Sequence, residues 1–96
     1  MTLEELRAEI DRVDRELLPL FLARMDLVRQ VAEQKRRTGV QVQDPTRERQ
    51  ILEDVASRSG AMKEHACRFY AELLEISRSY QETLISQGGP NGSGAD

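Results

Sequence analysis

From Thr2 to Arg37 the chain reads as one amphipathic helix. Leu3, Leu6, Ile10, Val13, Leu17, Leu20/Phe21, Leu27/Val28 and Val31 recur at steps of three and four, the spacing of a helix face turned toward a core. Thr2 followed three residues later by Glu5 forms a capping box at its start. At its end Arg36 and Arg37 oppose the helix dipole, and Gly39 can take a left-handed cap. At 1.5 Å per residue this is a rod of about 50 Å, longer than a compact monomer of this size is wide. Two shorter helices cannot cover it, so the pattern predicts a homodimer with two-fold symmetry in which a second copy buries the remainder. One residue disagrees. Pro19 removes a backbone hydrogen bond inside the rod at a cost of about 3 kcal/mol, which predicts a kink near residues 15–19 or packing strong enough to tolerate it.

Two further helices follow. Asp44-Pro45 pairs a natural N-cap with a proline at the first helical position, and the second helix is predicted from Pro45 to about Ser59, with Ile51, Leu52 and Val55 as its apolar face. The third runs from about Met62 to Ser86, with Ala66, Phe69/Tyr70, Leu73/Leu74, Ser77, Tyr80/Gln81 and Leu84 at core spacing. Residues 1–87 thus read as one all-α domain, and 88–96 (GGPNGSGAD) as a flexible Gly-rich tail.

Composition narrows the function. A single cysteine (Cys67) and a single histidine (His65) leave no internal disulfide and no zinc-ligand cluster. The net charge of −3 argues against a general nucleic-acid binder. No apolar run reaches the roughly 18 residues of a membrane span, and the acidic, amphipathic N-terminus is unlike a signal peptide, so a cytoplasmic location is expected.

The informative residues are cations on the apolar stripe. Arg24 and Lys35 fall where a core residue is due, and a buried cation is costly unless carboxylates meet it or the site receives an anion. Eleven residues at about 100° each bring Lys35 to within roughly 20° of Arg24, about 16 Å along the axis, so the two can converge on one small ligand. Arg7 lies seventeen residues before Arg24, about 25 Å along the rod and on another face. It can join such a site only from a second copy. Position alone reads Arg7 equally well as a solvated surface residue, and Arg24 and Lys35 also as snorkelling or ion-paired side chains. On the third helix Ser77 and Gln81, four apart, can direct two hydrogen-bonding groups at one object, or bond local backbone and stay partly exposed.

Taken in order, Leu6-Arg7-x-x-Ile10-Asp11-x-Val13-Asp14-x-x-Leu17-Leu18, then Arg24, Lys35, Asp44-x-x-Arg47-Glu48 and Ser77-x-x-x-Gln81 resemble the all-helical AroQ class of chorismate mutases, from Leu3 to about Ser86. The resemblance implies three helices per chain with a very long first helix, in an intertwined homodimer whose two sites are each completed by Arg7 of the other chain. It implies that Arg24 faces a substrate carboxylate, that Lys35 and Gln81 hydrogen-bond the ether oxygen, and that Glu48 accepts from the ring hydroxyl. Asp44 and Arg47 then shape that side of the pocket, and Ser77 adds a carboxylate contact. The implied reaction is the cofactor-free [3,3] rearrangement of chorismate to prephenate, on the way to phenylalanine and tyrosine. Isochorismate-pyruvate lyases share this frame, and a non-catalytic dimerisation or regulatory module is a third reading. The Asp44-x-x-Arg47-Glu48 segment and Gln81 favour the mutase.

Overall fold

In the computed structural model, which describes residues 1–87 of the chain, the backbone folds into three α-helices. The tail expected over 88–96 lies outside the described residues. Helix α1 spans Leu3–Thr38, 36 residues, and its start is capped as the sequence predicts. The Thr2 hydroxyl accepts from the Glu5 N–H at 3.1 Å, and the Glu5 carboxylate accepts from the Thr2 N–H at 2.7 Å. Its end is a left-handed Gly39 (φ 75°), whose N–H donates to the Lys35 carbonyl at 2.8 Å. An L side chain at that φ is strained, which is why glycine stands there. Pro19 does not split the helix, since a proline nitrogen deprives the ladder of one bond and the flanking turns keep their phase.

Helix α2 spans Pro45–Arg58, ending one residue earlier than predicted at a Ser59 cap; a single 3₁₀ turn, Gly60–Met62, leads into α3, Lys63–Gln87. Among the described residues α3 packs against both α1 and α2. The molecule measures 57 × 28 × 14 Å, a slab little more than one helix thick. Such a slab buries little. Val28, Ala32, Leu73 and Leu74 are its buried apolar residues, all on the second half of α1 or the middle of α3.

The division along α1 is sharp. Every residue from Met1 to Leu20 is exposed, whereas Phe21, Arg24, Met25, Val28, Ala32, Lys35 and Arg36, again at steps of three and four, are buried or half-buried. The rod thus has two halves, one packed on α3 and one carrying an uncovered apolar stripe, with Leu3 62%, Ile10 59% and Val13 52% exposed. On α3 the spacing rule gave Phe69/Tyr70 as a core position, and of the two Tyr70 is half-buried while the Phe69 ring stands 54% exposed. Its neighbours α1 and α2 cover the Leu73, Leu74, Ser77 and Gln81 face instead.

Candidate active site

Where the packed half of α1, the first turn of α2 and the second half of α3 meet, they leave a cavity of about 410 Å³. Seven of the eight polar residues singled out in the sequence line it: Arg24, Lys35, Asp44, Arg47, Glu48, Ser77 and Gln81. The eighth, Arg7, does not; it stands exposed on the uncovered half of α1. Leu27, Val28, Val31, Ile51 and Leu74 supply the apolar wall. Residues that the chain separates by up to 57 positions share this cavity because α3 folds back across both other helices.

Arg24, Ser77, Lys35 and Asp44 are each held by a specific contact. An Arg24 Nη1 donates to the Ser77 hydroxyl at 2.6 Å, and that hydroxyl donates in turn to the Leu73 carbonyl at 2.9 Å. The local-backbone reading of Ser77 therefore holds in part, since the hydroxyl bonds the Leu73 carbonyl and also aims the guanidinium, whereas Arg24 meets a hydroxyl and not the carboxylate of an ion pair. Most of the five guanidinium N–H donors of Arg24 are left for another partner. Lys35 Nζ donates to the backbone carbonyl of Val42 at 2.8 Å, tying the α1–α2 loop to the cavity and leaving two of its three donors over. Asp44 accepts the Arg47 N–H at 3.0 Å, which caps α2 and fixes Arg47 and Glu48 in its first turn.

Gln81 is the most exacting of the set. Only 7% exposed, it buries an amide whose Oε1 has no hydrogen-bond partner among the described residues. Leaving that carbonyl oxygen unpaired costs about 1–3 kcal/mol, and the donor of the side chain is its other half, the amide nitrogen.

Sequence reasoning missed Arg78. Its Nη1 donates to Glu48 Oε1 at 2.6 Å, and both side chains, about a quarter exposed, line the cavity. The pair raises the Arg78 guanidinium above its already high ordinary pKa, chiefly through that hydrogen bond. The available signal was the step of three from Arg78 to Gln81 on one helix face. It was too weak alone, because the partner lies thirty residues away on another helix.

With Arg78 counted, four cations (Arg24, Lys35, Arg47, Arg78) and two carboxylates (Asp44, Glu48) line the cavity, a net charge of +2 in a chain whose own net charge is −3. Such a site is matched in charge to a small dianion. Among the described residues there is no group of histidine, cysteine and carboxylate side chains able to hold a metal ion, and no helix long and apolar enough to cross a membrane.

The chain is similar in sequence to known proteins. The family model described as chorismate mutase type II matches residues 6–82. Over 91 residues the chain is 29% identical to a protein named chorismate mutase from Methanocaldococcus jannaschii, covering 88% of this chain and 89% of that one. Over 95 residues it is 42% identical to a bifunctional chorismate mutase/prephenate dehydratase from Aquifex aeolicus, covering 92% of this chain and 26% of that protein. A 51-residue stretch is 45% identical to a T-protein from Haemophilus influenzae, covering 53% of this chain and 14% of that protein. The chain thus spans only a minor part of two of these relatives and nearly the whole of the third. No solved structure gives a significant match.

Proposed function

The chain belongs to the type II chorismate mutase family, and on that premise we propose that its cavity converts chorismate to prephenate. The observation that carries the reading is the meeting of Arg24, Lys35, Glu48 and Gln81 in one cavity of net charge +2. Chorismate is a dianion, and guanidinium groups match its carboxylates in charge and in two-point geometry. The rearrangement breaks the ether carbon–oxygen bond while a carbon–carbon bond forms, with no proton transfer and no covalent intermediate. Negative charge grows on the ether oxygen as that bond breaks. Donors placed there bind the transition state more tightly than the ground state.

In this reading Lys35 and the Gln81 amide N–H donate to the ether oxygen, and Arg24, aimed by Ser77, holds a carboxylate. Glu48 accepts from the ring hydroxyl, and Asp44 and Arg47 close that side of the pocket. Fixed cations at both ends of the substrate favour the compact, chair-like conformer that the reaction requires.

The site is completed by a second copy. Leu3, Leu6, Ile10, Val13, Leu17 and Leu20 lie uncovered on α1, and burying such a side chain stabilises by about 1.5–3 kcal/mol. Pairing the two long helices covers this stripe and carries Arg7 of each copy toward the other's cavity. The decisive assay is the loss of chorismate's ultraviolet absorbance on adding the protein, with prephenate identified among the products and isochorismate as the control substrate. Saturable conversion to prephenate is expected. A folded dimer that leaves chorismate untouched would overturn the reading.

A further inference from the structure

We infer that Arg78 is a positioning residue of this site: through its bond to Glu48 it fixes the carboxylate that meets the substrate's hydroxyl, and it offsets that carboxylate's repulsion of a dianionic ligand. The inference rests on the function proposed above and adds to it a residue outside the polar pattern that pointed there. Arg78 is the hydrogen-bond partner that the structure gives Glu48, Nη1 to Oε1 at 2.6 Å. That contact commits one carboxylate oxygen. The other keeps its lone pairs for a donor in the cavity, as a hydroxyl acceptor needs.

The rest of the neighbourhood assigns the task to Arg78. Of the other cations lining the cavity, Arg24 bonds Ser77 and Lys35 bonds Val42, and among the described residues neither of these nor the Arg47 side chain bonds Glu48. Asp44 is the carboxylate next to Glu48 and adds to the negative charge on that side of the pocket. Without Arg78 the net charge of the cavity falls from +2 to +1, and Glu48 loses its hydrogen-bond partner and is free to change rotamer. A hydrogen bond to an ionised group, about a quarter exposed on both sides, is well placed to prevent both.

The test is a double-mutant cycle on chorismate turnover, with Arg78→Gln, Glu48→Gln and the double variant, each checked for helical content by circular dichroism. Arg78→Gln is expected to lower kcat/KM by about 10- to 100-fold in the wild-type background and by little in the Glu48→Gln background. Because the contact is a single bond and not a two-point fork, Arg78→Lys should recover most of the loss. Should Arg78→Gln disturb folding, Arg78→Met takes its place in the cycle.

Full activity in the singly substituted protein would overturn the inference. So would equal losses in both backgrounds, which assign Arg78 a contact of its own with substrate, or a Lys variant no better than Gln. A wild-type protein without turnover would overturn the inference and the proposed function together, and only that outcome touches the function.

Discussion

In the proposed mechanism Lys35 and Gln81 are the residues on which the chemistry turns, and they differ in kind. Lys35 contributes charge where charge develops, and deleting such a donor typically costs two to three orders of magnitude in turnover. Lys35→Ala is therefore expected to lower kcat by about 100- to 1,000-fold with the helical circular-dichroism signal unchanged; near-normal turnover would remove it from the mechanism. Gln81 contributes an N–H that does not titrate. Turnover should be nearly flat from about pH 5 to 8, where carboxylates are ionised and lysine is charged. The two groups with displaced titrations do not bend that profile. Glu33 is lowered, chiefly by its hydrogen bond to Arg36, so its small contribution to stability is present above its unfolded pKa and is lost only as pH falls through the folded one. Arg78 is raised and stays charged throughout. Gln81→Glu should replace the flat profile with activity that falls as pH rises, since only the protonated carboxyl can donate, and a profile unchanged by that substitution would contradict the role given to Gln81. The site was legible to this degree because its cations interrupt an apolar stripe, a pattern visible in one dimension. Arg78 interrupts nothing, and its importance comes from Glu48, which only folding brings near.

The elements follow from short-range chemistry, and their ends were read within a residue or two. The Thr2–Glu5 capping box and Gly39 close α1, and Asp44 with Pro45 opens α2. Asp44 has two duties, a cap for α2 and a wall of the cavity, and substitution separates them. Asp44→Ala should lower unfolding free energy by about 1 kcal/mol, whereas Asp44→Asn keeps a capping acceptor and should unfold near the wild-type midpoint. Urea titration of both variants checks this, and equal destabilisation would deny the cap. Pro19 was read as a kink or a tolerated strain, and α1 passes through it as one element. Periodicity alone left Phe69/Tyr70 open, and the structure turns Tyr70 inward, because a helix covered by two neighbours buries one sector and spacing does not say which of two adjacent apolar residues falls inside it.

At the scale of the molecule, the proposed dimer makes one chain half of a fold. A slab 57 × 28 × 14 Å with every residue from Met1 to Leu20 exposed has an apolar stripe but no partner for it. Helix length alone signalled this in the sequence, since a rod of about 50 Å outruns what two shorter helices can cover. The sequence could not tell where along the rod coverage stops, because that depends on where α3 docks, between Phe21 and Arg36. The central claim is a site shared between two copies, with Arg7 from one and Arg24, Lys35 and Gln81 from the other. Refolding an equimolar mixture of inactive Arg7→Ala and Lys35→Ala chains tests it most directly. Random pairing makes half the dimers mixed, each with one intact site, so the account predicts recovery to about a quarter of wild-type turnover. A mixture no more active than its components would contradict it.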